Sequence, residues 1–322
     1  MQIASADHGT SSALREATMP APLAGPRFEL NNGRVGRITC YGETPPSVDS
    51  ALPPLVLVHS VNAAATAYEM KPLFDHYRGR RAVYALDLPG FGLSDRSERV
   101  YTPRLMTDAI VLAVQEIRKR HGDAPVDLVA LSLSCEFAAR AATDMPNAFR
   151  TLALISPTGL TKRAESAAQT SGSPDQTRAM PWLHSLLNVP LWKRGFFSAL
   201  TSRAGIRFFL QKTFGSKQID EGLLEYDYIT THQPGAENAP YYFVSGYLFS
   251  AKVLNLYRAL AMPVWMVHGV PGDFVDYEGK RQVEGLPNWS IEVFQTGALP
   301  HFEQPQKFLA AYEDFVRRAV GV

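Results

Sequence analysis

Cysteine is nearly absent: Cys40 and Cys135 are the two among 322 residues. Two are too few for a disulfide framework, and their spacing does not match a zinc site. Such usage fits a reducing compartment, so a cytoplasmic location is expected. An excess of one charge is missing too, because 32 Lys and Arg face 31 Asp and Glu. A formal charge of +1 supplies no broad field for nucleic acid or an anionic membrane, which leaves a small molecule as the expected partner. No stretch approaches the roughly 20 uninterrupted apolar residues of a membrane span, so a soluble protein is expected. Residues 1–26 lack the basic start and apolar run of a secretory signal. Rich in Ala, Ser, Thr, Gly and Pro, they are read as a flexible arm. Gly90-Phe-Gly92 lacks the rest of a dinucleotide fingerprint, and no metal constellation is visible, so no cofactor is expected.

What is present is apolar substance for one large core or two modest ones, at 46% hydrophobic residues. It is arranged in short continuous runs: Leu55 to Val58, Ala82 to Leu86, Asp127 to Leu131, Thr151 to Ile155, Val264 to Val267 and Ile291 to Phe294. Continuous rather than alternating runs are what strands need when both faces of a parallel sheet are covered. Helical spacing separates them, notably over Thr107 to Arg120, Cys135 to Thr143 and Pro305 to Ala319. The alternation predicts an α/β fold with a doubly wound, mostly parallel sheet. Residues 158–258 interrupt it with a long, helical and aromatic-rich stretch. It is read as an inserted lid, with 27–157 and 259–322 forming the core. Its aromatics, Trp182 and Tyr247 among them, suit an apolar ceiling over a pocket.

One segment joins a strand to a helix through small residues around a serine: Ala130-Leu131-Ser132-Leu133-Ser134. It resembles the nucleophile elbow G-x-S-x-G of the α/β-hydrolase family, with Ala and Ser replacing both glycines. The resemblance spans residues 28–322 and implies Ser132 as the nucleophile. Ser134 would put Glu136 where a small residue is required, and the register is expected to point Cys135 into the packing of the helix against the sheet. His59, His268 and His301 all fall at strand carboxyl ends, where ligands of open α/β sheets bind. His301, after the last strand in Gly297-Ala-Leu-Pro-His301, resembles the family's histidine loop. Asp273 in His268-Gly-Val-Pro-Gly-Asp273 is closest to the position of the family's acid, and Asp276 is the alternative. Asp87 resembles a loop-shaping aspartate, and Asp127 precedes its strand at the opposite sheet edge. By correspondence the amides of Val61 and Leu133 would form the oxyanion hole, His59 would shape its turn, and Asn62 could add a donor.

The family implies proton transfer from Ser132 to His301, attack on a carbonyl and an acyl-enzyme released by water. Hydrolysis of a carboxylic ester or related acyl compound with an apolar portion is the expected reaction. Carbon–carbon bond hydrolysis or acyl transfer on the same residues is an alternative. So is a ligand-binding scaffold without turnover, suggested by Ser60, Ala130 and Ser134 where relatives carry glycine. Assembly as a homodimer through the lid is compatible with each.

Overall fold

A computed structural model describes residues 19–44, 52–162, 175–270 and 276–321. Eight strands form one sheet: β1 (Arg27–Asn32), β2 (Gly36–Glu43), β3 (Leu55–Val58), β4 (Val83–Leu86), β5 (Val126–Leu131), β6 (Phe149–Ile155), β7 (Val264–Gly269) and β8 (Trp289–Phe294), in the order β1-β2-β4-β3-β5-β6-β7-β8. All pairings from β4 to β8 are parallel; β1 and β2 add an antiparallel hairpin at one edge. The expected doubly wound α/β sheet is therefore present.

Both faces of the parallel strands are covered, and alternate residues feed two different cores. Val56, Val58, Leu128 and Ala130 point into one, against α2 (Pro103–Arg120) and α3 (Ser134–Asp144). Leu55, Leu57, Val129 and Leu131 point into the other, against α1 (Lys71–Tyr77) and the C-terminal helix (Pro305–Val320). On that second face Trp265 of β7 packs its ring against Phe308, Tyr312 and Phe315. Period-two burial on both faces is why these strands read as unbroken apolar runs.

The hairpin was not expected from the apolar runs. In β1 the half-buried Phe28 and Leu30 alternate with exposed residues, as an edge strand allows. Asn32 builds the turn by accepting through Oδ1 from the amides of Arg34 and Val35. Residues 19–26, expected to belong to the arm, are packed: Met19 and Leu23 are buried in the second core, and Tyr226 donates to the Pro20 carbonyl at 3.0 Å. Residues 1–18 lie outside the described part.

Between β6 and β7 the chain forms α4 (Pro181–Leu187), α5 (Lys193–Leu200), α6 (Arg203–Thr213), α7 (Glu221–Thr231), α8 (Asn238–Val244) and α9 (Val253–Arg258). Helix α7 packs on α6 and on the 3-10 turn Ala67–Met70 that follows β3, where Tyr226 stacks on Tyr68 at 5.5 Å between ring centres. Two short helices, α10 (Arg281–Glu284) and α11 (Pro300–Glu303), precede α12, the C-terminal helix. No described helix is long and apolar enough to cross a membrane.

Candidate active site

The carboxyl ends of β3, β5, β6, β7 and β8 share one edge of the sheet because these strands are parallel. Ser132 follows β5 there with φ of 56°, a left-handed conformation that costs a non-glycine residue about 1–3 kcal/mol. Pairing on either side holds it: its amide donates to the Ile155 carbonyl of β6 at 2.8 Å, and its own carbonyl accepts from Cys135 at 3.1 Å. The strand thus turns into α3 within three residues. Ser132 remains half-buried, whereas Ser134 is fully buried and its hydroxyl has no partner among the described residues. Cys135 is buried as well, with Sγ directed at the carbonyls of Ala130 and Ile155. Desolvation pushes its thiol well above the usual range, so it stays neutral.

His301, on α11, is buried between Phe302 and Phe308. Nε2 lies 2.8 Å from the carbonyl oxygen of Glu69 and must donate to it, since a carbonyl only accepts. Nδ1 is buried without a partner among the described residues. Burial lowers the imidazole to about 4, against a smaller opposing effect of the Glu69 carbonyl, so the ring is neutral near pH 7. Ser132 and His301 therefore share the same sheet edge, with the ring engaged by Glu69 rather than by the serine.

The turn after β3 is braced by Glu69. Its carboxyl accepts from the amide and hydroxyl of Ser60 at 2.7 and 2.9 Å and from Asn62 Nδ2 at 2.9 Å. Desolvation raises this carboxyl to about 7, and the hydrogen bonds from Ser60 and Asn62 limit the rise. His59 is also buried: Nε2 accepts from the Leu88 amide at 2.9 Å and Nδ1 donates to the Ser60 carbonyl. Burial depresses it, keeping it a neutral structural ring. Among the described residues no backbone acceptor engages the amides of Val61 and Leu133.

Asp273 lies outside the described residues. Asp276 is exposed and accepts from the Glu278 amide at 3.0 Å. His268 is buried, stacked on Tyr277 at 4.1 Å, and contacts Lys280 through Nε2. Asp87 shapes its loop, accepting from Tyr41, Ala67 and Leu93. Asp127 is at the other edge, paired with Arg81 and Arg150.

Next to the β3 turn is a cavity of about 290 Å3, lined by Asn62, Ala63 and Ala64 from the core and by Leu210, Asp227 and Phe243, among others, from the helical insertion. Thr213, also lining it, accepts from the amide of Ala298 at 2.7 Å and so ties the cavity wall to the His301 loop. Neither Trp182 nor Tyr247 lines the cavity. Trp182 is 68% exposed, because the inner face of α4 is formed by Leu183 and Leu187. Tyr247 packs instead against His184 and Tyr242.

Three residues escaped the sequence reading. Glu69 and Asp227 carry no signal beyond being acids in helical segments. Ser156, with φ of 47°, ends β6 and donates from Oγ to the Ala298 carbonyl at 2.8 Å, bracing the histidine loop. Its position at a strand carboxyl end was the available hint. No group of three or more described His, Cys, Asp or Glu side chains is placed to share a metal ion.

A family profile for the alpha/beta hydrolase family matches residues 55–311. The chain belongs to that family. Among solved structures, 2-hydroxy-6-oxo-6-phenylhexa-2,4-dienoate hydrolase from Rhodococcus sp. strain RHA1 is similar at 16% identity and a TM-score of 0.66, over 91% of this chain and 100% of that one. A candidate aryl esterase from Burkholderia cenocepacia gives 17%, 0.64, 92% and 100%, and a deformylase from Pseudomonas putida S16 gives 14%, 0.62, 89% and 100%. At such identities the likeness establishes the fold alone. No curated protein matches the sequence.

Proposed function

We propose that this α/β hydrolase cleaves a carboxylic ester or related acyl compound with an apolar portion, through an acyl-enzyme on Ser132. The observation that carries the reading is the left-handed Ser132 at the end of β5, half-buried at the N-terminus of α3 while its neighbours Ser134 and Cys135 are sealed. A strained turn of this kind is retained where it aims a hydroxyl. His301 acts as general base, and its neutral state suits that role. The amides of Val61 and Leu133 receive the oxyanion, and each such donor is worth about a hundred- to a thousandfold in rate.

A neutral imidazole carries one proton. With Nε2 donating to Glu69, Nδ1 is bare; the productive form needs the proton on Nδ1 and Nε2 turned to Ser132. An acid at Nδ1 would stabilise that tautomer, and Asp273 is proposed for it. The unpartnered, buried Nδ1 is the place such a group would occupy. The insertion between β6 and β7 serves as a lid whose α6 and α7 wall the acyl pocket. Carbon–carbon bond hydrolysis is the second reading on the same two residues.

A series of p-nitrophenyl esters of increasing chain length tests the proposal. Turnover that falls at least about a thousandfold in Ser132→Ala is expected. Turnover unchanged in that variant would refute it, and no turnover on any ester, with ligand binding intact, would favour the second reading or a binding role.

A further inference from the structure

The cavity beside the β3 turn is walled mostly by apolar groups; its polar lining residues are Asn62, Thr201, Thr213 and Asp227. The two threonine hydroxyls donate to the carbonyls of Phe197 and Phe209, which leaves Asp227 as the one the hydrolytic reading gives no task. Asp227, in the middle of α7, lines it while being 5% exposed, and its Oδ1 is sealed from water with no partner among the described residues. A buried polar atom left unpaired costs about 1–3 kcal/mol, so natural interiors keep few of them without a use. The backbone around Asp227 does not need the side chain. Helix α7 is capped by Asp220, whose carboxylate accepts from the Leu223 amide at 2.6 Å, and Thr231 bonds the Asp227 carbonyl rather than its carboxyl.

The surroundings decide which form of the carboxyl a ligand would meet. Among the described residues, no Lys, Arg or His lines the cavity. The charged groups that act on Asp227 are two more acids, Glu69 from the turn after β3 and Asp220 from the start of α7. Burial first, then these two neighbours, push the carboxyl well above its usual range and so favour its protonated form. A protonated carboxyl offers one O–H donor, and in an apolar cavity that donor discriminates between a ligand with an acceptor and one without.

We infer that Asp227 is a specificity-determining residue that donates a hydrogen bond to an uncharged oxygen acceptor, a ketone or ester carbonyl, on the part of the substrate held between the β3 turn and α6–α7. This rests on the proposed function for its placement of substrate, yet it concerns binding alone. Asn62, bounding the same cavity, has its amide nitrogen committed to Ser60 and Glu69 and its oxygen to Ala64, so it is not available for that role.

Binding to Ser132→Ala protein separates the inference from the hydrolytic reading, since no turnover is needed. Calorimetric titration with 4-phenylbutan-2-one, butylbenzene and 4-phenylbutylamine is the measurement. The ketone is expected to bind about tenfold more tightly than the hydrocarbon, a preference retained within about threefold by an added Asp227→Asn, which keeps an N–H donor, and abolished by Asp227→Leu. An equal preference in the Leu variant, tighter binding of the amine than of the ketone, or no binding by any of the three would overturn it. Loss of ester turnover in Ser132→Ala would bear on the nucleophile and leave this result unaffected.

Discussion

At the residue scale, the site is governed by burial acting on a few ionisable groups. His301 is held neutral because its cation would be stripped of water among aromatic rings, with only the Glu69 carbonyl to offset the loss. The consequence for stability has a definite sign. An unfolded histidine takes up its proton near pH 6.5, whereas in the fold this happens only near pH 4. Between those values the unfolded chain binds more protons, so stability is lost as pH falls from about 6.5 towards 4 and is fully present above that window. Urea unfolding at pH 7 and pH 5 should show wild type losing stability relative to His301→Gln by up to roughly 1.4 kcal/mol per pH unit. A difference independent of pH would show that the ring is solvated. Glu69 links this residue to the β3 turn, because its carbonyl holds His301 while its carboxyl holds Ser60 and Asn62. Serine in place of the family's glycine at position 60 thus has a physical account: its hydroxyl is one of the donors that brace the turn.

At the scale of elements, the strands were legible wherever both faces are buried. Leu55–Val58 is a four-residue run with every residue covered, and its bounds follow directly from the apolar letters. The β1–β2 hairpin was not legible by the same rule, since β1 exposes every second residue; the Asn32-Gly33 turn signal, read with Phe28, Leu30, Ile38 and Cys40, would have found it. Asp127, at the amino end of β5, shows how an element is anchored away from the chemistry. Burial alone would raise its carboxyl, but Arg150 and Arg81 override this and hold it below the usual range. Thr151 adds a hydrogen bond at 2.7 Å. Asp127→Asn leaves Arg81, 3% exposed, without its counter-charge, and should cost about 3–5 kcal/mol in denaturant unfolding with the rate per folded molecule unchanged. A slower enzyme of unaltered stability would instead place Asp127 in the reaction.

At the scale of the whole molecule, a sheet with its parallel carboxyl ends along one edge gathers residues that are far apart in the chain. The placement of Ser132 and His301 along that edge was legible because each comes after a strand signal, Ser132 directly after β5 and His301 in the loop region after β8. The lining that the helical insertion gives to the cavity was not. Trp182 stood out among the aromatics, yet hydrophobicity does not say which face of a short helix turns inward, and α4 turns Leu183 and Leu187 in. Asp227 was hidden for the opposite reason, since an acid in a helical segment looks like a solvated one until the neighbouring turn is seen to cover it. On the proposed function, the strained turn after β5 presents an activated hydroxyl. Reaction of the folded protein with a fluorophosphonate, followed by peptide mass spectrometry, tests it most directly. The adduct is predicted on Ser132 and should be lost in His301→Ala; a folded protein that stays unlabelled, or carries its label on another serine, would contradict the account.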